Sequence, residues 1–178
     1  EIYATPSDRN SSKRSQKGDI IRYEWNGASY VLTVVDQISE THAKEILVTD
    51  TNGDGKSELY GVIEAEKVDS TINKPIEIRK YDLSDNANFT HQVIATFDDD
   101  QMRFLLSGDF NFDGKVDLVA ASRNAGLYLL TQETVDKWKK IRIDSETGGF
   151  EHACYGADLN SDGKLEIYVA SDTHGQLN

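Results

Sequence analysis

Three acidic segments of the chain share one spacing of oxygen-bearing side chains. They begin at Asp50, Asp109 and Asp158 and follow the pattern D-x-N-x-D-G-x-x-[D/E]. Carboxylate or amide oxygens at positions 1, 3, 5 and 9 suit a hard cation, and calcium takes roughly six to eight oxygens. The glycine at position 6 permits the sharp turn that folds alternate side chains inward. The residues therefore predict three calcium-binding loops.

Two other interpretations compete with calcium binding. An EF-hand shares the first six positions, but it requires an acid at position 12 and flanking helices. Position 12 is Gly61, Ala120 and Val169 here, and apolar strands flank each loop, so an EF-hand is excluded. The second alternative is an acidic Asp-Gly hairpin without a metal. Three copies that retain every oxygen side chain favour the cation site over it.

The acidic loops mark a longer repeat along the chain. Their first residues are 59 and 49 positions apart, and a short run of apolar and β-branched residues enters and leaves each loop. Two further runs of this kind complete the unit, which gives four strands per repeat, as in a β-propeller blade. We predict an all-β fold of blades with four antiparallel strands. The segment 131–140, the one candidate for a helix, is predicted to be a loop that leads into a strand.

The repeat divides the chain into units of a single β-propeller fragment. The first unit lacks its innermost strand, two are complete, and the last holds only its beginning; the units are 1–38, 39–99, 100–146 and 147–178. Because a closed propeller needs at least about four blades, we predict an incomplete arc of a longer propeller. The chain opens at Glu1 without Met or a signal peptide. The remaining blades are therefore expected from a longer chain or from other chains.

The charge composition narrows the class of partner. The 178 residues include 31 acidic and 19 basic ones, for a formal net charge of -12. Nucleic acids and anionic membranes would repel such a chain, so we expect no nucleic-acid partner. No apolar run approaches the ~18 residues of a membrane span, so no membrane insertion is expected either. Cys154 is the single cysteine, which excludes an internal disulfide.

With these strand–loop–strand units at blade spacing, the chain resembles the FG-GAP/VCBS repeats of calcium-binding β-propellers, a type of repeat also present in the integrin α-subunit head. The resemblance covers essentially the whole chain and implies one Ca2+ ion in each of the three loops. The implied ligands, with each lysine acting through its backbone carbonyl, are Asp50, Asn52, Asp54, Lys56 and Glu58; Asp109, Asn111, Asp113, Lys115 and Asp117; and Asp158, Asn160, Asp162, Lys164 and Glu166. Only Glu1 is present of a further loop, so no site is predicted there.

The resemblance implies a non-catalytic binding or scaffold module of a secreted or cell-surface protein. Its expected location is extracellular, on the cell surface or periplasmic, and its partner is a protein or a carbohydrate; adhesion in the integrin manner is one such function. The alternative is part of a propeller enzyme that acts on carbohydrate, of the polysaccharide lyase or sugar dehydratase type. No catalytic residue and no second cofactor are predicted.

Polar residues also recur at the start of the strands that enter the loops. His42 lies eight residues before the first Asp of its loop, and Arg103 and His152 each lie six residues before theirs. An even difference places side chains on one face of a strand, and in a propeller these strands border the central channel. A channel site for an anion or a metal is one interpretation, and the carbohydrate enzyme would use the two histidines. Polar side chains at a wet channel mouth are the interpretation that the sequence favours.

Aromatic residues recur in the blades as well. They are Trp25, Tyr60, Tyr128, Trp138 and Tyr168. Exposed together, they would form a sugar-binding platform. Aromatic residues at repeated blade positions more often pack between sheets, so we predict that these five belong to the core.

Overall fold

The computed structural model describes residues 1–7, 17–69, 71–85, 88–145 and 151–171. Within these ranges the chain forms strands and no helix, and so no helix with the length and apolar character to cross a bilayer. The strands are β1 (Ile2–Ala4), β2 (Gly18–Trp25), β3 (Tyr30–Ile38), β4 (Ala43–Thr49), β5 (Glu58–Ile63), β6 (Glu66–Val68), β7 (Thr71–Lys74), β8 (Ile76–Asp82), β9 (Thr90–Phe97), β10 (Met102–Gly108), β11 (Asp117–Ser122), β12 (Gly126–Thr134), β13 (Lys137–Asp144), β14 (Glu151–Ala157) and β15 (Glu166–Ser171).

The strands form four successive antiparallel sheets and one small hairpin. The first sheet has the order β1-β2-β3, the second β4-β5-β8-β9, the third β10-β11-β12-β13 and the fourth β14-β15, while β6 and β7 form the hairpin. The described sheets follow one another as an arc and do not close into a ring. The predicted fold class, all-β with four-stranded antiparallel blades in an incomplete arc, is confirmed. The division into units at 1–38, 39–99, 100–146 and 147–178 stays a prediction.

Two local features differ from the sequence prediction. β12 continues to Thr134 and β13 begins at Lys137, so the segment 131–140 is a tight β-hairpin and not a loop before a strand. The β6–β7 hairpin is an insertion between β5 and β8. In the third sheet only three residues connect the equivalent strands, β11 and β12. The insertion does not follow the repeat, which is why the repeat pattern does not predict it.

Side-chain alternation divides each middle strand between two cores. In β5, Leu59 and Ile63 belong to the core shared with the first sheet, whereas Tyr60 and Val62 belong to the core shared with the third. β11 is divided in the same way between the second and fourth sheets, and all of its residues are buried. Full burial of one such apolar side chain stabilises the fold by about 1.5–3 kcal/mol. The sheets are therefore held together by packing against their neighbours.

Three of the five repeated aromatic residues take part in this packing. Tyr60 is buried and meets Trp138 edge-on with ring centroids 6.2 Å apart, and Tyr128 packs edge-on against a phenylalanine at 5.0 Å. Trp25 and Tyr168 are 56% and 41% exposed. The prediction of core packing is therefore wrong for these last two.

Asp99 ties the chain that enters the third sheet to the turn between β11 and β12. Its carboxylate is 4% exposed and accepts hydrogen bonds from the Ser122 hydroxyl, from both the backbone and side-chain amides of Asn124 at 2.6 and 2.9 Å, and from the Ala125 amide at 2.9 Å. Burial alone would raise the pKa of Asp99, but the hydrogen bonds from Ser122 and Asn124 outweigh it and lower the pKa to about 2.

Replacing Asp99 with Asn removes the charge that these donors stabilise. Because the pKa is lower in the folded state, the ionised carboxylate stabilises the fold above about pH 4, and this contribution is lost as the pH falls towards 2. We expect Asp99→Asn to lower the free energy of unfolding by about 2 kcal/mol at pH 7 and by less at pH 3. Urea unfolding at both pH values measures this. The exposed neighbour provides the control Asp98→Asn, and an equal loss for Asp99→Asn at both pH values would contradict the account.

Gly126 begins β12 in a conformation that only glycine fits. Its φ is +95°, and a Cβ atom there would lie 2.1 Å from the carbonyl oxygen of Asp144. We expect Gly126→Ala to cost about 2–4 kcal/mol of unfolding free energy. The control is Gly27→Ala, because Gly27 has a φ of +98° but open space at the Cβ position. That variant should lose only the conformational cost of about 1–2 kcal/mol. Equal losses in urea unfolding would show that the contact with Asp144 is unimportant.

Candidate metal centre

The three acidic loops connect the first two strands of successive sheets. Loop A (Asp50–Glu58) joins β4 to β5, loop B (Asp109–Asp117) joins β10 to β11, and loop C (Asp158–Glu166) joins β14 to β15. β4 packs beside β10, and β10 packs beside β14. Residues of loops A and B line one cavity of about 340 Å³. The ring of Phe110 in loop B packs against the end of β14, where loop C begins. The loops are therefore neighbours at one end of the inner strands β4, β10 and β14.

One hydrogen-bond scheme orders all three loops. In loop C the backbone amide of Gly163 donates to Oδ2 of Asp158 at 2.8 Å, that of Asp162 donates to Oδ1 of Asn160 at 2.9 Å, and that of Lys164 donates to Oδ1 of Asp162 at 2.9 Å. Loops A and B contain the corresponding bonds. The glycine at position 6 has a φ of 83°, 82° and 86° in the three loops, a region that favours glycine. The side chains at positions 1, 3 and 5 are thus gathered towards the inside of each loop.

The acid at position 9 closes each loop onto its own beginning. Oε2 of Glu58 accepts hydrogen bonds from the backbone amide and the hydroxyl of Thr51, both at 2.9 Å. Oδ2 of Asp117 accepts from the amide of Phe110 at 3.1 Å, and Oε2 of Glu166 accepts from the amide of Leu159 at 3.1 Å. Each of these carboxylates is therefore held at the base of its loop, on the strand that leaves it.

Loop C brings its carboxylates closest together. Oxygen atoms of Asp158, Asp162 and Glu166 all lie within 4.8 Å of one another. Like charges at such separations repel unless a cation lies between them, and oxygen atoms are the ligands that calcium prefers. In loop A an amide group takes this intermediate position, because Nδ2 of Asn52 donates to Oε1 of Glu58 at 2.8 Å and lies 3.3 Å from Oδ2 of Asp54. Carboxylate and amide side chains line all three loops, and among the described residues a cluster of three carboxylates lies in loop C.

The side chain of the lysine at position 7 points away from the inside of its loop in loop C, the one loop in which the described residues show a contact for it. Nζ of Lys164 lies 5.4 Å from the centre of the Phe112 ring in loop B. The side chains of Lys56 and Lys115 are exposed. Only the backbone carbonyls of these lysines would be suited to a cation. The ligand set implied by the sequence stays a prediction, and the geometry brings its carboxylate and amide side chains together within each loop.

Asp117 in loop B is a carboxyl group that resists ionisation. Burial raises its pKa to about 6 against the lowering effect of hydrogen bonds from the backbone amides of Phe110 and Asn111, and the nearby carboxylates of Asp113 and Asp109 add to the rise. The residue is 1% exposed. Loop B therefore holds a buried acid that a bound cation would help to ionise.

A contact beneath loop A is not visible in the motif. The hydroxyl of Thr51 lies 2.7 Å from that of Tyr60, and burial raises the pKa of this tyrosine. The pair links the second position of loop A to the core of β5. Position 2 is Thr, Phe or Leu in the three loops. No regular pattern there could have predicted the contact.

The structure separates His42 from the acidic loops. It precedes β4, at the other end of the strand from loop A, and it is buried with Nε2 3.6 Å from Oε2 of Glu64. Arg103 lies at the corresponding end of β10 and is half-buried. The side chain of His152 lies outside the described part of the chain. A site that unites the two histidines stays a prediction.

Asp117→Asn should change stability in opposite directions with and without calcium. A raised folded-state pKa means that the protonated acid stabilises the fold below about pH 4 and that this contribution is lost as the pH rises through about 6. In EGTA at pH 7.5 we expect Asp117→Asn to gain about 1–3 kcal/mol of unfolding free energy, with little change at pH 4. In millimolar calcium the same variant should be less stable than the parent protein. Asp136→Asn, in the exposed β12–β13 turn, controls for the lost charge; a loss of stability in EGTA at pH 7.5 would contradict the prediction.

Comparison with known proteins adds one finding on the family. Residues 109–169 match the family model of an FG-GAP-like repeat. The matched region begins with loop B and extends through loop C into β15. No curated protein sequence and no solved structure matches the chain. The resemblance to FG-GAP repeats is thus shown for residues 109–169. It supports a β-propeller-type binding module and does not favour the carbohydrate enzyme.

Proposed function

We propose that the chain is a calcium-stabilised, non-catalytic binding or scaffold module of a secreted or cell-surface protein. The observation that carries this proposal is the common hydrogen-bond scheme of loops A, B and C, which gathers acidic and amide side chains at one end of neighbouring sheets. A single acidic turn needs no ion. Three equivalent loops that concentrate negative charge on adjacent strands are best explained by a cation in each.

In this proposal each ion links the turn of its loop to the strand that leaves the loop. The side chains at positions 1, 3 and 5 belong to the turn, and the acid at position 9 belongs to the strand that leaves it. A calcium ion bound by both would therefore fasten the turn to the sheet and remove the repulsion among the acids. Three ions of charge +2 would change the formal net charge from -12 to -6.

The proposed location follows from the calcium concentration that such sites need. Extracellular calcium modules have dissociation constants of about 10⁻⁴–10⁻³ M, which only an extracellular or periplasmic concentration would saturate. The proposed partner is a protein or a carbohydrate, as for other binding modules. Further blades of the propeller, from a longer chain or from other chains, would complete its surface.

Thermal unfolding in millimolar calcium and in excess EGTA tests the calcium proposal. A ligand that binds only the folded state stabilises it by about 2.7 kcal/mol per site at 100 times its dissociation constant. We therefore expect a midpoint several degrees higher in calcium, with a much smaller rise in equimolar magnesium. Equal midpoints in calcium and in EGTA would show that the loops are ordinary acidic hairpins.

Loop C offers the sharpest variant, because its three carboxylates are the closest together. We expect Asp162→Asn to reduce the calcium-dependent rise by about one third, since one of three sites is lost, and to leave the midpoint in EGTA unchanged or higher. Asp136→Asn should retain the full rise. Calorimetric titration would then count three bound ions in the parent protein and two in Asp162→Asn. A full rise in Asp162→Asn would remove loop C from the proposal.

A further inference from the structure

A second charged cluster lies at the opposite end of the inner strands from the acidic loops. Its buried part is the pair of Glu64, which follows β5, and His42, which precedes β4. The backbone amide of Glu64 donates to the carbonyl oxygen of His42 at 3.0 Å. Nε2 of His42 lies 3.6 Å from Oε2 of Glu64, and the two side chains are 8% and 9% exposed. An acid and a base are thus held together in the interior, away from the candidate calcium ligands.

One carboxyl oxygen of Glu64 lacks the hydrogen bond that a buried carboxylate oxygen normally has. Among the residues that the structure describes, no donor reaches its Oε1 atom. Burial raises the pKa of Glu64 to about 7, although Lys44 and Arg103 are near enough to lower it. A buried carboxyl oxygen without a hydrogen-bond donor costs free energy.

Lys44 and Arg103, the two cations beside Glu64, lie at equivalent β-bulges of their strands. The pairing register shifts at Lys44 in β4, at Arg103 in β10 and at His152 in β14, so a β-bulge recurs near the start of each inner strand. All three residues are basic types, and each lies six positions before the first Asp of its loop. Bulges redirect a side chain and are frequent next to functional sites. Three bulges with basic residues stand out in a chain whose formal net charge is -12.

Lys44 and Arg103 are both more exposed than the acid Glu64. Lys44 is exposed and Arg103 is half-buried, and their strands pack side by side. Both act electrostatically on the one carboxyl group of Glu64. Two positive side chains on adjacent strands therefore lie near the same buried carboxyl group.

We propose that Lys44 and Arg103 bind a small oxyanion, a carboxylate, phosphate or sulfate group, with the Glu64–His42 pair beneath them setting the local charge. A guanidinium group pairs with two oxygens of such an anion, and an ammonium group adds a point charge. The bound group would belong to an acidic ligand at the end of the module opposite the calcium loops.

The charge on Glu64 makes this binding dependent on pH. The ionised carboxylate competes with the ligand for the two cations, and protonation removes that competition. The other charged or titratable groups that face Glu64 are His42 and Lys44 from the start of β4, Lys67 from β6, and Asp100 and Arg103 from the start of the third sheet. Lys67 and Asp100 form an ion pair with each other and largely cancel. Oxyanion binding is therefore stronger at pH 6 than at pH 8.

The test is a titration of the calcium-loaded protein with acetate and, separately, with sulfate, followed by backbone amide shifts in an NMR spectrum. We expect saturable shifts at the start of β4 and β10, at least about threefold tighter at pH 6 than at pH 8. Comparison of the two anions distinguishes a carboxylate ligand from a sulfate or phosphate ligand. Shifts that do not saturate, or that lie elsewhere in the protein, would overturn the proposal.

Three variants decide which residues bind the anion. Lys44→Met should weaken binding about tenfold without affecting the fold, since the side chain is exposed, and Arg103→Met should weaken it at least as much. Lys139→Met, an exposed lysine of β13, should have no effect. Glu64→Gln should bind more tightly than the parent protein at pH 8 and lose the difference between pH 6 and pH 8. Unchanged binding in Lys44→Met, or weaker binding in Glu64→Gln at pH 8, would contradict the assignment.

Discussion

Burial of both faces of a middle strand is the constraint on which the rest of the structure depends. β5 and β11 contribute alternate residues to two different cores, so neither sheet encloses a core of its own. The same packing places the inner strands next to one another, and this arrangement brings loops A, B and C to one end of the molecule and the Lys44–Arg103 region to the other. Each acidic loop is ordered within its own repeat, whereas the grouping of the loops at one end depends on the packing of neighbouring sheets.

Hydrogen-bond donors and neighbouring charges together set the pKa of a buried carboxyl group. Asp99 has donors for both oxygens, so its pKa falls although the group is almost fully buried. Asp117 also accepts hydrogen bonds at both oxygens, but burial and the nearby Asp113 and Asp109 raise its pKa. Glu64 has no donor at Oε1 among the described residues, and burial raises its pKa as well. Low-pKa groups hold turns together, whereas the two raised ones lie where a cation or an anion is proposed to bind. This contrast agrees with the tendency of perturbed acids to lie in functional regions.

Local chemistry explains which parts of the structure could be predicted from the sequence. The acidic loops depend on hydrogen bonds between residues at most a few positions apart, and the strands on alternation along a short segment. Each of these two patterns can be recognised in the sequence of a single repeat, and its recurrence in the next repeat supports the assignment. The exposure of Trp25 and Tyr168 could not be predicted this way, because their sheets have a described neighbour on only one face.

The features that the sequence did not predict depend on contacts between residues far apart in the chain or on residues that do not recur in the repeats. The link from Thr51 to Tyr60 uses a loop position without a fixed residue type. Glu64 meets His42 through pairing of strands whose register includes a bulge, and a one-residue shift of register changes which side chains meet. The β6–β7 hairpin follows no repeat at all. These features require the register of particular strands, which a repeat pattern leaves open.

The acidic loops and the Lys44–Arg103 region lie at opposite ends of the inner strands. β4 separates Lys44 near its start from Asp50 just beyond its end, and a strand of this length spans about 20 Å. Calcium bound in the loops would reduce the negative charge at one end and leave the charged groups at the other end unchanged. The field that an approaching charged partner meets would then depend on calcium even at the end of the molecule that binds none.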